Sequence, residues 1–265
     1  MSSLARADLE SLLRARKLDR TLTSALTPLA PPDEWTVAAT GIAGVDVQLA
    51  GGFPRGQLSE IVGPRSSGRT SLLLRTLAAS TARGELVALV DALDALDVES
   101  AAGAGIDFDR LLWIRGHVVV NPGLCRDLNQ RALEQAIKAL TLVLQAGNFG
   151  LVVLDVSEVG RDATGRLPFT TWLRLQRMVE NTPTACVLVG TDPMARSSAG
   201  LTLSLGKRDQ GVGRRDGVGS SEGVGVRFCG RRFDGLDVGS RVVRARAGMH
   251  EEAAVAWSTV AASHV

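Results

Sequence analysis

The chain has 265 residues, 45% of them apolar and 22% charged, with a formal net charge of +2. That is long enough for one α/β core with short extensions, and the balance is that of an ordinary globular protein. No run of about 18 apolar residues offers a membrane span, and the opening MSSLARADLE lacks the apolar stretch of a secretory signal, so a cytoplasmic, nucleoid-associated protein with no membrane contact is expected.

From the start of the chain, Ala5, Leu9, Leu12 and Leu13 recur at helical spacing, which predicts an amphipathic helix over 3–17. Asp19 to Trp35, with Pro28, Pro31 and Pro32, has no period and reads as a linker. Residues 1–35 are thus an extension ahead of a core expected over 36–248. Within the core, Gln57–Val62 is a strand candidate, followed by a Gly/Ser-rich turn and a helix over about 69–82. Leu86–Asp91 and Leu151–Asp155 are continuous apolar strands ending in carboxylates. Asp127–Gln145 is a long amphipathic helix, and Ala185–Val189 is a further strand. Strands that are apolar on both faces and alternate with helices predict an α/β fold, with a largely parallel sheet covered on both sides.

Past residue 200 the pattern turns to short strands and Gly-rich turns, a hairpin extension or a loop over 205–240. Cations there, including Lys207, Arg208, Arg214, Arg215, Arg227, Arg231, Arg232, Arg241, Arg244 and Arg246, outnumber the acids about two to one. Of these, Arg208, Arg214, Arg215, Arg231 and Arg232 are candidates for contact with DNA or an acidic partner, the alternative being a solvated surface. The tail 249–265 carries Trp257 on a candidate C-terminal helix, either a partner anchor or a segment packed on the core. Cys125, Cys186 and Cys229 are widely spaced and form no metal pattern, and His117, His250 and His264 are isolated.

The chemistry rests on Gly63-Pro-Arg-Ser-Ser-Gly68-Arg69-Thr70, which has the spacing of a P-loop between a strand and a helix. In such a loop Gly63, Ser66, Ser67 and Gly68 turn backbone N–H groups inward, and the helix N-terminus adds partial positive charge for phosphate. Thr70 and Asp155 would hold Mg²⁺ if ATP binds. Arg69 stands where the motif has lysine. Its planar guanidinium is larger and differently directed than an ammonium, so it either holds a phosphate or pairs with a local carboxylate and seals the site.

The run ATGIAGVDVQLAGGFPRGQLSEIVGPRSSGRTSLLLRTLAA resembles the first half of the bacterial RecA core, and the likeness continues with gaps to about residue 248. It implies a RecA-like P-loop NTPase fold, with Asp155 as the Walker B carboxylate. Asp97 would be the adenine-contacting acid, and Arg244 and Arg246 would match basic residues that reach the neighbouring subunit's nucleotide in RecA filaments. Departures cluster on one function. Leu93 replaces the glutamate that orients water, Ser100 replaces the tyrosine that stacks on adenine, and only GTDPMARSSAG remains of the second DNA-binding loop. Among degenerate RecA relatives, the chain is most similar to the ImuA family of SOS mutagenesis cassettes.

That resemblance implies an adaptor in SOS-induced repair and translesion synthesis with little or no catalysis. It would bind an ImuB-like polymerase homologue, with RecA, an error-prone replicative polymerase, single-stranded DNA and a second copy of the chain as further candidates. Two other readings stand beside it: an active DNA-dependent ATPase with a glutamate from elsewhere (Glu60 or Glu158), and a SulA-like division inhibitor.

Overall fold

The computed structural model describes residues 36–117, 126–206, 225–229, 232–245 and 254–258. The expected N-terminal helix and linker lie outside those residues, as do Arg208, Arg214, Arg215, Arg231 and Arg246.

The elements run in chain order as β1 (Val37–Ala38), α1 (Ala43–Gln48), β2 (Phe53–Pro54), β3 (Leu58–Val62), α2 (Arg69–Ala82), β4 (Val87–Asp91), α3 (Val98–Gly103) and β5 (Leu111–Arg115). They continue with α4 (Arg126–Ala146), β6 (Leu151–Asp155), α5 (Arg161–Arg166), α6 (Phe169–Val179), β7 (Ala185–Gly190), β8 (Leu201–Gly206), β9 (Gly225–Cys229), β10 (Arg232–Ala245) and β11 (Ala254–Ser258). Strands β1 and β2 form a small antiparallel pair. The others form one sheet in the order β11-β10-β8-β3-β7-β6-β4-β5, with β9 on the first part of β10.

From β8 to β5 the neighbours are parallel, and β10 and β11 continue the sheet antiparallel. The α/β class with a largely parallel sheet is the one the sequence predicts. Alternation along each central strand divides its residues between two cores. Val87, Leu89, Leu151, Val153 and Val187 pack under α2 with Leu72, Leu73 and Leu77. Ala88, Val90, Val152, Leu154 and Leu188 face Leu133, Ile137 and Leu140 of α4 and Trp172 and Leu175 of α6. This explains the unbroken apolar runs: each face is covered, so neither register position tolerates a polar group. Among the described residues no helix is long and apolar enough to cross a membrane.

The C-terminal segment departs from expectation. Ala254–Ser258 is a strand on β10, not a helix, with Trp257 opposite Val238 and Val255 opposite Ser240. Its exposures alternate: Ala256 and Ser258 face outward while the Trp257 ring is buried beside Val238 and Val242. Ala254 and Ala256 suggest a helix in isolation. The period-two burial of Trp257 against a strand fifteen or more residues earlier overrides that local preference. The sheet therefore extends into the segment 249–265.

Parallel strands bring their carboxyl ends to one edge, where ligands bind in open α/β sheets. Val62 pairs with Gly190, Asp155 with Val189, and Asp91 with Asp155. The phosphate-loop candidate and both strand-ending acids thus share one rim.

Candidate nucleotide site

The loop 63–68 leaves β3 and enters α2 at its N-terminus. Gly63 N–H donates to the Gly190 carbonyl at 3.3 Å, which fixes the loop to β7. Two residues need left-handed backbone, Ser66 (φ 59°) and Gly68 (φ 87°), the latter being the N-cap of α2. Glycine at 68 also has a packing reason: a Cβ there would lie 2.6 Å from Val238 Cγ2 of β10. At Gly63 a Cβ would run into the Leu205 carbonyl and Ser67. The loop thus rests on β8 and on the antiparallel β10.

Ser67 and Arg69 are both buried, and the Ser67 Oγ and Arg69 Nη1 atoms have no hydrogen-bond partner. Thr70 is exposed. Burial draws the Arg69 guanidinium below its usual range, opposed chiefly by the charges of Asp155 and Glu158. Arg69 nevertheless forms no ion pair with a described residue. Of the two alternatives for Arg69, sealing by a carboxylate is therefore not what its geometry shows. An unpaired buried donor costs about 1–3 kcal/mol, more when charged, and an anion would repay it.

Asp155 ends β6 half-buried, with Oδ1 accepting the Ser157 N–H at 2.8 Å. Burial raises its carboxyl above the ordinary range, against that bond and the pull of Arg69. Phosphate is the group these residues fit: Ser67 and Arg69 offer orphaned polar atoms at a helix N-terminus. Thr70 and Asp155 are the residues that would hold Mg²⁺ if a nucleotide bound.

The other half of the site is spent on the fold. Leu93 is buried among Val90, Ala92, Leu133 and Val156. Asp91 accepts from Ala95 N at 3.0 Å and Leu96 N at 2.9 Å, and from Trp113 Nε1 at 3.3 Å. Asp97 is the N-cap of α3 and accepts the Ser100 N–H at 3.0 Å. The Ser100 hydroxyl, and after it the Ser100 backbone N–H, hold the exposed Asp97 carboxyl below its usual range. Asp94, with φ of 58°, takes both ends of Arg115 at 2.7 Å, and Arg115 lies over the Trp113 ring.

Neither substitute glutamate is free. Glu60 is fully buried and accepts from Met194 N at 2.8 Å, Ala195 N at 2.7 Å and Thr202 Oγ1 at 2.8 Å. Glu158 pairs with Arg65 of the loop. Arg161 pairs with Asp192, bridging the segments after β6 and β7. Arg244 is exposed on β10, and its Nη1 donates to the Arg196 carbonyl at 2.6 Å. Arg232 opens β10 opposite Cys229. The Glu60 network and the Arg65–Glu158 and Arg161–Asp192 pairs had no signal in the sequence, because their partners are far apart along the chain.

Residues 29–159 match the RecA N-terminal domain family. RecA of Clavibacter michiganensis is 40% identical over 120 residues, 45% of this chain and 29% of that protein. RecA of Kineococcus radiotolerans is 38% identical over 126 residues, 47% of this chain and 32% of that protein. The chain thus spans less than a third of the length of these relatives. A crystal structure of the RadB recombinase superposes with a TM-score of 0.54 at 18% identity, covering 83% of this chain and 94% of that one. The fold is RecA-like, and the sequence likeness covers the phosphate loop through Asp155.

Proposed function

We propose that the chain is a RecA-like adaptor in DNA repair that keeps a phosphate-binding loop and has lost the means to hydrolyse ATP. The observation that carries this reading is Leu93, an apolar side chain closed into the core at the position where the RecA resemblance implies a water-orienting glutamate. Leucine can neither accept a proton nor orient water. Glu60 has all of its described bonds inside the fold, and Glu158 is engaged by Arg65, so neither neighbouring glutamate supplies the missing group.

The finer reading follows the resemblance: an ImuA-type accessory protein of SOS translesion synthesis, binding an ImuB-like polymerase homologue. The compact 191–200 connection, held from beneath by Glu60, supports a rigid contact surface rather than a loop that threads along DNA. Strand addition, which RecA-like assemblies use, has a candidate in the outer edge of β5, where Leu112 is exposed.

Ser67, Gly68 and Arg69 would hold phosphate, with Thr70 and Asp155 toward Mg²⁺, which would supply charge neutralisation if bound. A co-purification assay tests the adaptor role. A tagged full chain should retain an ImuB-like polymerase homologue with or without ADP, and failure to do so in both conditions would remove this reading.

A further inference from the structure

Beside the phosphate loop lies a second cleft, which the nucleotide reading does not use. It is about 320 Å³, formed between α5–α6 and the 191–196 segment. Leu167, Phe169, Trp172, Pro193 and Met194 give it apolar lining, and Thr164, Asp192, Arg161 and Arg196 line it with polar and charged groups.

Three features make this a prepared surface. The segment is pinned: Glu60 accepts the Met194 and Ala195 N–H groups, Asp192 accepts from Arg161 and the Thr191 hydroxyl, and Arg244 donates to the Arg196 carbonyl. Arg196 is held at φ 50°, a left-handed backbone that a non-glycine residue adopts only under constraint. Phe169 remains 36% exposed at the start of α6.

Charge decides what fits. The acids around the cleft are already neutralised: Asp192 by Arg161, Asp162 by Arg126 and Glu158 by Arg65. Arg166, Arg196 and Arg244 are exposed and form no ion pair with a described residue. The surface therefore presents a pocket of mixed lining, with apolar side chains from Leu167, Phe169, Pro193 and Met194 beside polar ones, and unpaired guanidinium groups around it. A nucleic-acid strand would want stacking faces, but Trp172 is 2% exposed and Phe169 is the one ring in the pocket wall that reaches solvent.

We infer that this cleft docks an acidic peptide segment of a protein partner, seating one large apolar side chain between Phe169 and Met194 while flanking carboxylates meet Arg196 and Arg166. The inference rests on the adaptor reading and gives the partner's chemistry at one surface. Area alone does not make such a contact. A central apolar anchor with charge complementarity at the rim does.

The test pans a random peptide library on the immobilised full chain, with the Arg196→Glu protein as counter-selection, and measures enriched peptides by fluorescence anisotropy. Enriched sequences should carry Asp and Glu around a Leu, Phe or Trp. Their affinity should fall about tenfold or more at Arg196→Glu and at Phe169→Ala, with thermal midpoints close to wild type. Neutral or basic enriched peptides, equal affinity for both variants, or no enrichment over the counter-selection would each overturn the proposal. A labelled oligothymidylate is the second probe. If it binds in an Arg196-dependent, salt-sensitive way while no acidic peptide does, the surface is a nucleic-acid site and the proposal fails. If a full-length polymerase homologue is retained equally by wild type and Arg196→Glu, this surface falls while the adaptor reading stands.

Discussion

The two ends of the nucleotide site have been treated differently. At the phosphate end, Ser67 Oγ and Arg69 Nη1 are buried and left without partners. At the catalytic and adenine end, every corresponding group is absorbed by the fold: Leu93 in the core, Asp91 tying the β4 exit, Asp97 capping α3. Polar groups left unsatisfied inside a protein are costly, so their persistence at one end points to a ligand. On the proposed reading, their consumption at the other end marks a function given up. The difference would then separate binding from turnover within one site.

The sharpest way to break the comparison is to restore the acid. Leu93→Glu should not create an ATPase, because the side chain enters an apolar core rather than the rim. It should cost about 3–5 kcal/mol in urea unfolding, the penalty of an unpaired buried carboxylate. Hydrolysis in that variant would mean that position 93 faces the nucleotide after all. Gly68→Ala comes next. It forces a left-handed alanine against Val238 and should destabilise by about 1–3 kcal/mol, and it should weaken ADP binding.

Arg69→Met works in the opposite direction. Without ligand it should be neutral or more stable by about 1 kcal/mol, since it removes a buried cation lacking a partner. With ADP, the thermal shift seen in wild type should vanish. A lower midpoint without ligand would show that Arg69 is already well paired.

The smallest effect is in the pH dependence. The Asp155 carboxyl lies above its unfolded value through burial, so the folded chain binds that proton more tightly. Its ionisation penalty is present above the folded pKa and fades as pH falls through that value. Asp155→Asn should therefore raise the thermal midpoint at neutral pH and flatten this part of the curve. An unchanged curve would show that Arg69 already offsets the burial.

Much of this was legible because it is local. The strand–loop–helix from Leu58 through Gly68 to Ala82, and the apolar runs ending in Asp91 and Asp155, have periods and punctuation that survive folding. Leu93 was legible as a departure from a resemblance, but its burial depended on α4, about forty residues later. By position in the sequence, Glu60 is a candidate substitute for the catalytic acid. Its role as the clamp of the 191–200 connection depends on partners 134 to 142 positions away, which no spacing rule reaches. The helix expected around Trp257 failed for the same reason, while the alternative of packing on the core is the one observed: the strand exists only because β10 is beside it.

Steady-state ATP turnover by the purified full chain, with and without single-stranded DNA and beside Asp155→Ala, tests the central claim most directly. Wild type should turn over no faster than Asp155→Ala under either condition, while still gaining thermal stability from ADP. DNA-stimulated hydrolysis that Asp155→Ala abolishes would contradict it.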